Sequence, residues 1–139
     1  MRRTLMIGSL FAILPFALLA SCGEDKDEGP PIQLQQADRD RIIEMARTYT
    51  AALEARDMAA AKMLLLKGIP DATITKAMNT VRDEGLHLVK VGEPTADGQN
   101  AEITVDLTDK DGKAVTRKLE FRRDGGAWVV YSPHLKPLS

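Results

Sequence analysis

At Leu86 the spacing of apolar residues along this chain changes from three and four to two, and that change constrains the fold more than any other feature. Upstream, Ile42, Met45, Ala46, Tyr49 and Leu53 recur at helical steps behind Asp38, which is placed to cap them, predicting an amphipathic helix of about 18 residues. Asp57 is a good N-cap for a second helix over Met58–Leu66, which Gly68 and Pro70 bring to an end. A third helix starts at Asp71, carries Ile74, Ala77, Met78 and Val81 on one side, and stops at Gly85.

Downstream the pattern is that of strands. "LHLVKV" opens the series. Ala101, Ile103, Val105 and Leu107 then alternate with Glu102, Thr104, Asp106 and Thr108. In the third strand Val115, Leu119 and Phe121 share a face opposite Thr116, Lys118, Glu120 and Arg122, and "AWVVY" at 127–131 makes the fourth. Asp97-Gly98, Asp111-Gly112 and Asp124-Gly125-Gly126 punctuate the strands as hairpin turns. Helices followed by a strand meander predict an α+β domain over residues 38–132, with the N-terminal helices packed on one face of a four-stranded antiparallel sheet. Residues 133–139 are left as a C-terminal tail. Aromatic residues make up only 4% of the chain, so the core must be built from Ala, Leu, Ile, Val and Met. Trp128, on a strand face with Val130, is expected to plug that core.

The amino-terminal 37 residues are of a different kind. Arg2 and Arg3 precede an apolar run, "LMIGSLFAILPFALLA", that is interrupted by Gly8, Ser9 and Pro15. A spanning helix needs about 20 predominantly apolar residues, so the run fits the apolar region of a secretory signal better. It leads into Cys22, the only cysteine of the chain. Leu19-Ala20-Ser21-Cys22 resembles the lipobox of bacterial lipoproteins. The resemblance covers residues 1–22 and implies a signal peptide over 1–21. It further implies diacylglyceryl attachment to the Cys22 sulfur, cleavage before Cys22, and acylation of the new amino group. Two or three acyl chains make a lasting anchor where one holds only marginally, at about 0.8 kcal/mol per buried CH₂. Gly23 stands where an aspartate resembles an inner-membrane retention signal, which points to the periplasm-facing leaflet of the outer membrane. Residues 22–37 then form a lipidated cysteine and a flexible acidic tether, since "GEDKDEGPPIQ" has little apolar surface to bury.

Charge excludes one class of function. The chain carries 19 basic and 20 acidic residues, and residues 32–139 hold 16 of each. A neutral domain without a basic stripe is not built to track phosphates, so no nucleic-acid partner is expected. No Cys/His spacing resembles a zinc site, and no metal or cofactor is expected.

The order of elements resembles small bacterial lipoproteins of the nuclear-transport-factor-two-like (cystatin-like) superfamily, through "YTAALEARDMAAAKML" at 49–64, "AEITVDLTDKDGKA" at 101–114 and "RRDGGAWVVY" at 122–131. That resemblance implies a sheet curled into a cone around a helix, with an apolar pocket at its wide end. Three residues are candidates to line it. Arg117 interrupts an apolar stripe and either meets an anionic ligand through its planar fork or pairs with a neighbouring acid such as Asp106. His87 lies between Leu86 and Leu88 and either lines the pocket or sits on a solvated strand face. Tyr49 falls on the apolar stripe of the first helix, as a pocket residue or as a core tyrosine bonded at its rim. His134 belongs to the tail and is expected to be exposed. Asp109, Asp111 and Gly112 faintly suggest a calcium loop, but the other ligand positions are missing and a hairpin accounts for them.

No serine stands in a nucleophile elbow, no glycine-rich loop follows a strand, and no acid pair shares a face with a histidine. The favoured expectation is a membrane-anchored envelope lipoprotein whose non-catalytic domain binds an envelope protein or a small apolar ligand. The alternatives are an enzyme of the same fold using Tyr49, His87 or Arg117, and a purely structural envelope component.

Overall fold

The computed structural model describes residues 34–138. Three helices, α1 (Gln36–Ala55), α2 (Met58–Leu64) and α3 (Asp71–Glu84), precede six strands: β1 (His87–Val91), β2 (Thr95–Asp97), β3 (Asn100–Thr108), β4 (Ala114–Asp124), β5 (Ala127–Val130) and β6 (Lys136–Pro137). The helices pack on one face of a curved antiparallel sheet, the α+β arrangement that the change of period predicts.

Helix α1 buries Ile42, Met45, Ala46, Tyr49 and Leu53, the expected stripe. Its start differs from expectation. Gln35, not Asp38, occupies the cap position, and Asp38 lies in the first turn. The carboxylate of Asp38 is committed elsewhere, to Arg123 on β4. At the other end Arg56 takes the left-handed conformation (φ 56°), with its N–H donating to the Leu53 carbonyl and that of Asp57 to the Ala52 carbonyl. These are the two bonds of a Schellman ending. Asp57 caps α2 as expected, its side chain accepting from the Ala60 N–H at 3.1 Å. That helix is shorter than its apolar run because Leu65 and Leu66 turn to the sheet. Leu65 bridges Val130, and the Leu66 N–H donates to the Val130 carbonyl at 2.9 Å. Helix α3 has the predicted bounds at both ends, with Gly85 in the left-handed conformation as its stop.

The sheet has four rows, and each edge row is broken in two. Its main path is β1-β3-β4-β5. β1 pairs with the carboxyl-terminal half of β3 and β2 with the amino-terminal half. On the other edge, β5 pairs with Phe121–Asp124 of β4, and β6 pairs with Arg117 and Lys118. Residues 133–138, read from the sequence as a tail, are therefore part of the domain. Pro133 and Leu135 are buried and His134 is half-buried rather than exposed, because the segment crosses back to deliver β6. Interrupted edges offer no long unpaired strand to a neighbouring chain.

Along β3 the burial alternates without a fault: Ala101, Ile103, Val105 and Leu107 are buried while the residues between them face out. The β3–β4 pairing runs from Asn100↔Arg122 to Thr108↔Ala114 and puts Leu119 and Phe121 on the same inner face. Gly125 and Gly126 both have positive φ (62° and 90°), the geometry of a type I′ turn, which only glycine adopts freely. That turn sets Arg123 opposite Trp128 and Phe121 opposite Val130. Trp128 is 5% exposed and belongs to the core with α1, as expected.

Candidate functional site

The structure does not gather Tyr49, His87 and Arg117. Tyr49 is fully buried in α1, and its hydroxyl donates to the Pro133 carbonyl at 2.8 Å. Removal from solvent pushes its phenol well above the ordinary range, so it stays protonated. This is the core tyrosine of the two readings, bonded to the segment that delivers β6. His87 is exposed at the start of β1, with Nδ1 3.0 Å from the Glu54 carboxylate. The other oxygen of Glu54 accepts the Leu88 N–H at 3.1 Å, so this acid ties the end of α1 to the edge of the sheet.

Arg117, with a side chain 16% exposed, donates to Glu84 at the end of α3 at 2.7 Å. Asp106, the partner suggested by sequence, lies on the opposite face, where it is set against Thr116 and accepts from its hydroxyl. Neighbouring positions of a strand point to opposite sides, so Arg117 turns inward and meets a helix instead. None of the three residues lines either cavity described below. The space between α1 and the sheet is filled, with Ile42, Leu53, Val105, Leu119 and Val130 fully buried.

The remaining sequence candidates resolve into structural roles. One carboxylate oxygen of Asp109 accepts from the Asp111 and Lys113 backbone N–H groups at 2.8 and 2.9 Å. Those bonds, the Lys113 one first, hold its carboxyl below the usual carboxylate range. They close the β3–β4 hairpin, as the turn reading expects. Among the described residues no group of three or more His, Cys, Asp or Glu side chains is placed to hold a metal ion.

Two cavities stand out among the described residues. A small one of about 170 Å³ lies where α2 runs into α3, beside Leu65, Leu66, Ile69 and Ile74. The larger, about 400 Å³, is an open groove on the outer face of the sheet, away from the helices. Two rows of side chains cross it. The first runs Asp97, Asn100, Arg122, and the second Thr95, Glu102, Glu120, Tyr131.

The charges on this face are unequally committed. Lys118 lies 3.3 Å from Glu102 and 4.0 Å from Glu120, and Lys136 lies 2.8 Å from Glu120. Lys90 and Asp106 face each other at 4.0 Å. Arg122 has neither an ion pair nor a side-chain hydrogen bond among the described residues. Instead its guanidinium lies over the Tyr131 ring, 4.1 Å from the centroid. Asp97 is likewise without an ion-pair partner among the described residues. The arrangement presents a cation held in place by an aromatic face with its N–H edges unused, a geometry suited to a carboxylate or phosphate.

Sequence reasoning put Arg122 on the solvent face and did not single it out. The missed signal was the two-glycine turn. Counting outward from Gly125-Gly126 pairs Arg122 with Val129 and brings Tyr131 beside Glu120, which places the aromatic ring within reach of the arginine.

A scan against protein-family models and a search of curated proteins return no match. Solved structures do match. A cystatin-like protein of unknown function from Nostoc punctiforme superposes with a TM-score of 0.51 at 11% identity, over 72% of this chain and 91% of that one. An NTF2-like protein of unknown function from Pseudomonas putida gives 0.48 at 15% identity, over 70% and 85%. At such identity the Nostoc structure speaks to fold alone: this chain is similar to a cystatin-like domain, with its helices laid across a curved antiparallel sheet.

Proposed function

We propose that this chain is a lipid-anchored protein of the bacterial envelope whose domain is a non-catalytic binding module, working through the outer face of its sheet. The observation that carries the binding part is the groove of about 400 Å³ with Arg122 stacked on Tyr131 and free of any ion pair among the described residues. That volume lies within the range of about 300–1,000 Å³ usual for small-ligand sites. The reading differs from the sequence expectation in where the ligand sits. The interior is filled by core side chains, and the side chains that project into the groove include Asp97, Asn100, Glu102, Glu120 and Arg122. In this reading a small apolar ligand held inside the cone is therefore replaced by a polar one held outside it.

The anchoring part rests on Leu19-Ala20-Ser21-Cys22 behind a basic and apolar leader. Its site, Cys22, the proposed signal and the tether up to residue 33 lie outside the described residues. Residues 34–37, read from the sequence as the end of the tether, belong to the domain instead, with Leu34 packed against the core and Gln36 and Ala37 opening α1. The envelope location, facing the periplasm from the outer membrane, rests on the same stretch and on Gly23. The test is metabolic labelling of the full chain with an alkyne fatty acid in a bacterial host, followed by membrane fractionation. Wild type should carry the label and sediment with membranes, and Cys22→Ser should do neither. A wild-type chain recovered soluble and unlabelled overturns the anchor.

A further inference from the structure

We infer that the groove on the outer sheet face binds a short peptide with free ends, its carboxylate on Arg122 and its ammonium on Asp97. This rests on the proposal that the groove is a binding site and names the ligand's chemistry. Of the charges lining the groove, Glu102 and Glu120 are answered by Lys118 and Lys136. The two left over are of opposite sign: Arg122 and Asp97, with no partner for either among the described residues. They lie in one row across the sheet, with Asn100 between them. The groove is thus a dipole with an amide at its centre.

The spacing selects the length of the ligand. Adjacent strands lie about 4.8 Å apart, so positions two strands apart are separated by roughly 10 Å. The charges of a single amino acid are too close together to reach both residues. An extended chain advances about 3.3 Å per residue, so two or three residues span the gap. The Asn100 side chain supplies both a donor and an acceptor for the intervening peptide group. Arg122 is already held against Tyr131, which lowers the ordering cost of using it.

The probe is tri-alanine, titrated into the full chain and followed by backbone amide shifts and calorimetry. N-acetylated and C-amidated tri-alanine serve as comparisons. Saturable shifts are expected at Asp97, Asn100, Arg122 and Tyr131, with either blocked peptide weaker by about tenfold or more, the size of one charge-assisted hydrogen bond. Arg122→Gln should weaken tri-alanine by a similar factor and leave the C-amide unaffected, because its partner is already gone. Asp97→Asn should behave in the same way toward the N-acetyl peptide. Both variants are at the surface, and an unchanged thermal midpoint shows that the fold is intact. Equal affinity for free and blocked peptides overturns the assignment, as does an Arg122→Gln variant that binds all three like wild type. If tri-alanine shifts nothing while a small-molecule extract of the bacterial envelope shifts the same four residues, the peptide is wrong and the binding groove stands. If neither does, both fail.

Discussion

Arg122 and Arg123 are consecutive, lie on the same strand, and are each laid over an aromatic ring, yet they belong to different environments. Arg123 faces the helices. Its guanidinium is 4.6 Å from the Trp128 centroid, 2.7 Å from the Asp38 carboxylate and 3.3 Å from the Gly126 carbonyl. Arg122 faces solvent, covers Tyr131, and keeps its remaining donors free. One stack is closed by a third residue brought from α1, 85 positions away; the other lacks that third residue. The stacking itself is common to both and therefore says nothing about role. What separates a structural arginine from a binding one here is whether the donors around its rim are already spoken for.

The comparison is open to direct attack, and the aromatic partners give the largest effect. Trp128 is 5% exposed and Tyr131 40%. Trp128→Ala should cost about 3–5 kcal/mol and leave a domain of ordinary stability, roughly 5–15 kcal/mol in total, marginal or unfolded. Tyr131→Ala should cost less than about 1 kcal/mol. Denaturant melts of the two variants check this, and equal midpoints would show the two stacks to be energetically alike. Next in size is the closing ion pair. The Arg123 and Asp38 side chains are 31% and 26% exposed, so solvent weakens but does not cancel their bond. Arg123→Gln and Asp38→Asn should each cost about 1–2 kcal/mol, and a double-mutant cycle should return most of that as coupling. Independent effects would mean that Arg123 is held by Trp128 alone. Smallest is Arg122→Gln, which should change stability by no more than about 0.5 kcal/mol in the same melts. A larger loss would place Arg122 beside Arg123 as a structural residue and remove the basis for the groove.

The inner half of this contrast was legible in the sequence and the outer half was not. Period alone put Ile42, Tyr49, Ile103, Val105 and Leu119 in the core, because an apolar face has only one place to go. Asp57 and Gly85 marked helix ends because their chemistry is local. The residues that went astray depend on partners remote in sequence. Asp38 left its cap role for Arg123, Arg117 found Glu84 rather than Asp106, and Lys136 and Pro137 of the expected tail became a strand through pairing with β4. Arg122 carries no pattern of its own. Its standing as a candidate comes from its having no ion-pair partner among the described residues, the neighbouring Glu102 and Glu120 being taken by lysines, and only a fold can show that. The resemblance to the cystatin-like superfamily raised the expectation of an interior pocket, and this chain fills that interior with side chains.

The bond from the Tyr49 hydroxyl to the Pro133 carbonyl joins positions 84 apart and bears on when the domain can be assembled. Together with the Asp38–Arg123 pair it makes the first helix wait for the far end of the chain. During synthesis, α1 has no β4 to close against until Arg123 has emerged, and no acceptor for its buried hydroxyl until Pro133 follows. Contacts of such sequence separation fold slowly compared with local ones. A nascent chain of this design stays open through nearly all of its synthesis, the condition in which the proposed leader could pass it across a membrane unfolded.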